Sequence, residues 1–262
     1  MNILVCIKQV PARESTLRLR EDALGVREDD LSFEINEPDT FALEEAVRLK
    51  EAHGGEVVAI SLGPQRVQTA LREALAKGAD RAIHIDTEPA GALDQRTIAR
   101  ALAAAIGTEK FDLVLAGLQS DDLGVGQTGV ILAEMLGIPH ATIIMEIKPE
   151  GTGLRVKREL EGGWFEWVAV PLPALLTIQS GLNKPRYASL LGIKKAKTKP
   201  LRQCTLAELD HLPGGPAPAP AIRVRKVYAP VRKKATEFLS GSPKEIATAL
   251  VGKLRQELSA GS

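Results

Sequence analysis

Aromatic side chains are nearly missing from this chain: Phe, Trp and Tyr together make up 3% of 262 residues. That scarcity excludes a core of stacked rings, so Val, Ile, Leu and Ala must fill the interior. Cysteine is equally scarce. Cys6 and Cys204 lie far apart in the sequence, which excludes a disulfide scaffold and suits a reducing compartment. The four histidines, His53, His84, His140 and His211, show no metal-ligand spacing, and no nucleophile–base set stands out. No apolar run approaches the roughly 20 residues needed to cross a bilayer. The opening residues MNILVCIKQVP pass straight into a strand-like pattern without a basic segment or cleavage site. A cytoplasmic protein, not embedded in a membrane, is the expectation.

What is present is the balance of a soluble globular chain, 44% hydrophobic and 26% charged, long enough for one large domain with appendages. The formal net charge of +1 conceals a division. Residues 1–182 carry 18 Lys and Arg against 28 Asp and Glu, a net of −10. Residues 183–262 carry 16 against 5, a net of +11. Such asymmetry marks an interaction tail. The tail has only Tyr187, Tyr228 and Phe238 as aromatics and matches no nucleic-acid module. Acidic protein surface, its own or a partner's, is the expected contact rather than nucleic acid.

Through residue 148, short β-rich runs alternate with helix-period runs. Asn2–Lys8, Glu56–Leu62, Arg81–Asp86 and Phe111–Gly117 read as buried strands. Val67, Ala70, Leu71, Ala74 and Leu75 form one face of a helix that stops at Gly78. Further helices are predicted over about 42–49, about 95–106 and from about Gln127, and a strand after Pro139. Continuous apolar strands between helices predict a Rossmann-like α/β fold of the adenine-nucleotide-binding, universal-stress-like kind, its mainly parallel sheet covered by helices on both faces. Near residue 150 the pattern changes: Leu154–Leu160 and Phe165–Val170, joined by Glu161-Gly162-Gly163, predict an added β-hairpin, and Ala174–Ile178 a further strand. From Gly181 the chain reads as irregular and basic, with a linker at 212–220 (PGGPAPAP after Leu212). Ser242-Pro243-Lys244-Glu245 is a capping box that opens a last helix, with Ala247, Leu250, Val251, Leu254 and Leu258 in one stripe. The expected division is a nucleotide-binding domain at 1–182, then an extended arm at 183–262 that ends in this helix.

In an open parallel sheet, ligands bind beyond the carboxyl ends of the strands. The candidate loop is Gly117-Leu-Gln-Ser-Asp-Asp-Leu-Gly-Val-Gly-Gln-Thr-Gly129. Gly124, Gly126 and Gly129, around Val125, let backbone come close to a ligand. A helix starting near Gln127 would aim free N–H groups at a phosphate, and Thr128 adds a hydroxyl. Asp121 and Asp122 are awkward beside phosphate and fit a turn-shaping role. The loop matches neither GxGxxG nor GxxxxGK[ST], so on residues alone it is either a nucleotide site or an ordinary Gly-rich turn. Asn36-Glu37-Pro38-Asp39 reads as an N-cap turn or as ligand contacts from the same sheet edge, and Cys6 as a small buried residue ending the first strand.

The stretch from Val156 to Val168, VKRELEGGWFEWV, followed by Pro173-Ala-Leu-Leu-Thr177, resembles the signature of electron transfer flavoprotein beta subunits, with Arg158, Glu161, Gly162, Gly163, Glu166, Val168, Pro173 and Thr177 in register. VCIKQVP near the start, FALEEAVRLKE at 41–51, GADRAIH at 78–84 and NKPRYASL at 183–190 are similar too, so the likeness covers essentially residues 1–200. It implies a heterodimer with an alpha subunit that holds FAD, and an AMP of structural role in this chain. It implies no bond-making chemistry here, and electrons passing from acyl-CoA-type dehydrogenases to a quinone oxidoreductase. Carried over by position, AMP contacts fall on Cys6, Asn36, Glu37, Pro38, Asp39, Leu62 and Gly117 to Thr128. Tyr187–Ala196 resembles the loop that docks the dehydrogenase, with Leu190 as anchor and Arg186, Lys194 and Lys195 as basic flanks.

The chain departs from the family pattern in two places. Its loop reads DDLGVGQTG where an acidic run and Asn-Gln-Thr-Gly are frequent, and Arg13 and Pro38 stand where aromatics often face the flavin. Some members hold a second FAD in place of AMP and split electron pairs between two acceptors. AMP is the expectation here, because Thr128 beside Gln127 suits a terminal phosphate, and FAD is the alternative, because Gly124 and Gly126 widen the loop. A stand-alone nucleotide-binding regulator is disfavoured by the hairpin signature and the capped helix. An adenylating enzyme is disfavoured because no SGGxDS-type or HIGH-type loop is present.

Overall fold

The computed structural model describes residues 1–88, 93–209, 221–230 and 236–260. Strand β1 (Ile3–Cys6) opens the chain with four buried residues. A small separate ribbon pairs β2 (Gln9–Pro11) with β3 (Phe33–Ile35). Helix α1 (Glu37–His53) leads to β4 (Val57–Gly63), α2 (Gln68–Lys77) to β5 (Arg81–Asp86), and α3 (Gln95–Ile106) to β6 (Leu113–Gly117). Helix α4 (Thr128–Leu136) precedes β7 (His140–Glu150), β8 (Gly153–Glu159), β9 (Phe165–Pro171) and β10 (Ala174–Ile178). Then come α5 (Leu190–Ala196), β11 (Leu201–Thr205), α6 (Leu206–Leu209) and α7 (Pro243–Ala260).

Among the described residues nine strands form one sheet in the order β11-β5-β4-β1-β6-β10-β7-β8-β9. The seven from β11 to β7 run parallel, and only β8 and β9 are antiparallel additions. This is the expected α/β fold with its added hairpin. Side chains alternate across a strand, so β1 feeds two cores: Ile3 and Val5 pack with Leu43 and Val47 of α1 and Leu71 and Leu75 of α2. Leu4 and Cys6 pack with Leu102 and Ile106 of α3 and Leu132 of α4. Aliphatic residues fill both layers, as the scarcity of aromatics requires. One crossover escapes sequence inspection: β10 enters between β6 and β7, after the hairpin has been completed.

The hairpin turns at Gly162 and Gly163, whose φ values of 70° and 79° suit glycine. On its outer face the Lys148 ammonium lies 4.5 Å and the Arg155 guanidinium 5.3 Å from the Trp167 ring centre. Beyond Gly181 the structure departs from expectation. Residues 190–196 are helical, 201–205 continue the sheet beside β5, and 206–209 form a last short turn of helix. The short segments lack a full amphipathic period, and β11 is an edge strand with polar exposed residues, so neither carries a strong pattern. Packing therefore extends the body to Leu209, past the division at 182 that charge suggested. The linker expected at 212–220 and His211 lie outside the described residues.

The arm meets the body at residues 221–222, where the Asp94 carboxylate accepts N–H bonds from Ala221 at 2.6 Å and Ile222 at 3.2 Å. Its other oxygen caps α3 through the Thr97 N–H at 2.8 Å. Helix α7 begins as expected, with Glu245 Oε2 accepting the Ser242 N–H at 2.8 Å. Its Leu250, Val251 and Leu254 are about half exposed.

Candidate functional site

At the centre of the sheet, β1 is flanked by β4 on one side and β6 on the other. Helix α1 covers one face and α3 the opposite one, so neighbouring connections diverge and leave a crevice at the carboxyl ends of these strands. A cleft occupies it, at the place where ligands bind in open parallel sheets.

Strand ends, the β6–α4 loop and helix starts build its walls. Cys6 comes from β1, Leu62 from β4, Gly117 from β6, and Asn36 and Asp39 from the start of α1. Val125, Gly126, Gln127, Thr128 and Gly129 close it at the start of α4. Gln127 makes no side-chain cap on α4, which leaves the first-turn N–H groups beside the cleft as donors for an anion. Gly126 has φ of 66°, a left-handed backbone that glycine adopts without strain.

Asn36 stands at the N-cap position of α1 without capping it. Its amide instead clamps the loop after β6: Nδ2 donates to Gln119 O and Oδ1 accepts the Asp121 N–H, each at 2.9 Å. Asp39 ties two strand ends, accepting the Lys8 N–H at 2.7 Å and the Gly117 N–H at 2.8 Å. Gly117 must be glycine for this, since a Cβ there would run into Asp39 Oδ1. Burial pushes the Asp39 carboxyl up to about 7, against the opposing pull of its hydrogen bonds. Burial also pushes the Cys6 thiol up to about 12, with the nearby Asp39 adding to it, so Cys6 is a wall residue and not a nucleophile at neutral pH.

Five of the expected residues stand outside the lining. Glu37 and Asp121 bracket the exposed Arg13 guanidinium. Pro38 abuts Gly117, and Gly124 has open space around it. Asp122 is held by the Lys8 ammonium at 2.6 Å. Burial alone would raise the Asp122 carboxyl, but bonds from Lys8 and Ser120 outweigh it and keep it below its ordinary value. The acidic pair is thus turned to Lys8 and Arg13. Sequence inspection missed Lys8, Gln95 and Ile98, which also line the cleft. Lys8 lies two residues past the end of β1, a position that the strand-end rule could have flagged. Among the described lining residues Lys8 is the one Lys or Arg, and its charge is already matched.

Tyr187, Leu190, Lys194 and Lys195 lie apart from this lining, exposed on and just before α5. Among the described residues no cluster of His, Cys, Asp or Glu is placed to hold a metal, and no helix is long and apolar enough to cross a membrane.

A model of the electron transfer flavoprotein domain matches residues 23–209. The chain is 41% identical over 256 residues to the electron transfer flavoprotein subunit beta of Methylophilus methylotrophus, covering 96% of this chain and 97% of that one. The chain belongs to the electron transfer flavoprotein beta-subunit family. The Bacillus subtilis beta subunit is 38% identical over 98% of both chains, and the human one 42% over 76% of this chain and 79% of its own. Electron transfer is thus the family's business.

Proposed function

We propose that this chain is the nucleotide-holding half of an electron transfer flavoprotein heterodimer. It takes AMP into the switch-point cleft, while the alpha subunit holds the redox-active FAD. Electrons then pass from acyl-CoA-type dehydrogenases to a quinone oxidoreductase in the cytoplasm, with α7 and the arm lying on the alpha subunit.

The observation that carries the choice of AMP is the make-up of the anion end. It offers backbone N–H groups at Gly126–Thr128 and the Thr128 hydroxyl, with no unmatched Lys or Arg among the described lining residues. One phosphate suits such a set, since a helix N-terminus acts as roughly half a positive charge. A pyrophosphate, as in FAD, would bring more negative charge than these donors match. Leu62, Ile98 and Leu123 offer apolar surface for a base. AMP supplies no redox chemistry; its expected effect is to brace the ends of β1, β4 and β6.

Denaturing the purified heterodimer should release one FAD and one AMP, measured by absorbance and chromatography. Two FAD and no AMP would point to the electron-bifurcating reading and reject this one. A Gly126→Asp variant should lose AMP by roughly 100-fold in affinity or more. It strains a left-handed position by about 1 kcal/mol and sets a carboxylate beside the phosphate at a cost of a few kcal/mol. Unchanged AMP content after dialysis would remove the loop from the site.

A further inference from the structure

Two stretches far apart in the chain meet in space: Phe41–Glu51 on α1 and Asn183–Ser189 just before α5. The Arg186 guanidinium lies between Glu44 and Glu51, two turns apart on α1. Nε and Nη2 donate to the two Glu44 oxygens at 2.8 and 3.0 Å. Nη1 and Nη2 donate to the two Glu51 oxygens at 2.6 and 2.9 Å. The Arg186 backbone N–H adds a bond to Glu44 at 3.1 Å. Alongside, Asn183 Nδ2 donates to Glu45 and to the Phe41 carbonyl, each at 3.0 Å. Glu44 and Glu45 are both 7% exposed, and carboxylates so placed are costly unless matched. Arg186 of this segment matches Glu44, while Glu45 takes the Asn183 amide and Arg48 of its own helix, 3.6 Å away.

The other end of the segment is fixed as well. Arg72 on α2 donates to the Ala196 and Lys199 carbonyls at 2.7 and 2.9 Å. Lys199 Nζ donates to Leu75 O at 3.0 Å and Ala79 O at 2.5 Å. Gly192 sits so close to Ala76 O that a Cβ would collide with it. Between these two feet stands an apolar crest: Tyr187 is 94%, Leu190 88%, Leu191 61% and Ile193 46% exposed. Large apolar groups held out into solvent on a doubly anchored segment have already given up their backbone freedom, so a partner meets them in ordered form.

We propose that Arg186 is a positioning residue: its paired forks on Glu44 and Glu51 set the Tyr187–Ile193 crest in the conformation that the electron-donating dehydrogenase binds. The inference rests on the reading of Leu190 as docking anchor. Arg186 touches neither cofactor nor reacting atoms and acts through the crest alone. Lysine cannot replace it, because an ammonium carries the charge without the fork.

The test uses the complete heterodimer with an acyl-CoA dehydrogenase of the same source as donor, and compares Arg186→Lys, Glu51→Gln, Leu190→Ala and the Arg186→Lys/Leu190→Ala pair. Arg186→Lys should raise KM for the dehydrogenase about tenfold at unchanged kcat and FAD content, as expected for a lost pre-ordering contribution. It should also speed amide exchange over residues 187–193. Glu51→Gln, which leaves the buried Glu44 pair intact, should move both readouts the same way by less. In the paired variant the two KM effects should fall short of additive, since both act on one contact. A raised KM in Leu190→Ala with an unchanged KM in both fork variants would overturn the positioning role and leave the docking reading standing. An unchanged KM in Leu190→Ala would remove both.

Discussion

Asp39→Ala should destabilise the protein by about 2–6 kcal/mol, since it leaves two backbone N–H groups without their acceptor. Its carboxylate is 5% exposed and accepts the N–H groups of Lys8 and Gly117. Truncation would orphan both donors at the ends of β1 and β6, at about 1–3 kcal/mol each. Asp39→Asn keeps the size and one acceptor, so it should fall between the wild type and the alanine variant in urea midpoint. Equal midpoints for all three would show that the tie between strand ends contributes nothing.

The same residue predicts a pH dependence whose sign can be worked out. Burial lifts the carboxyl from 3.8 to about 7 in the folded protein. Between these values the folded state holds a proton that the unfolded state has released. Stability carried by this group is therefore present below pH 4 and falls as pH rises towards 7. Asp39→Asn lacks the titration, so the wild type's stability relative to that variant should decline from pH 4 to pH 7. Denaturation curves across that range would check it, and a difference that grows with pH would contradict the assignment.

Removing residues 236–262 should weaken association with the alpha subunit by roughly 100-fold. Leu250, Val251 and Leu254 are 48%, 48% and 52% exposed on α7. Full burial of such a side chain contributes about 1.5–3 kcal/mol. If half of that is realised at each of three positions, the sum is about 3 kcal/mol, which is roughly a 100-fold change in Kd. Sedimentation of the truncated pair at low micromolar concentration, with FAD retention alongside, measures the loss. A truncated chain that stays paired with full flavin would mean that the arm docks elsewhere.

The legible parts of this fold were those with a strong local period. EVVAISL, RAIHID and ALLTI are strands whose apolar runs announce burial on both faces, and Glu161-Gly162-Gly163 announced the hairpin. β11 was not legible because LRQCT lies at a sheet edge, where polar side chains and exposure erase the pattern. The site shows the same division. Its glycine loop is a contiguous motif, so Val125 to Gly129 could be named from sequence. Gln95 and Ile98 arrive from α3, about thirty residues away in sequence and on a helix whose apolar face reads simply as core. The Arg186 forks were equally hidden, because pairing across the fold leaves no trace in the spacing of either partner.

The late arrival of β10 constrains how the molecule can be made. This strand lies between β6 and β7, yet its last residue, Ile178, is separated from Gly117 by α4, β7 and the whole hairpin. During synthesis, which proceeds at roughly 5–20 residues per second, β6 must emerge and wait several seconds with one edge open. An unpaired apolar strand edge is a template for wrong partners, and non-local pairing of this kind slows folding. The Gly129–Thr177 contact, where a Cβ on the first turn of α4 would strike the Thr177 methyl, can close only after that insertion. Nascent chains arrested before Pro173 should therefore be the species most in need of chaperone protection, and the cleft acquires its final shape in the last stage of folding.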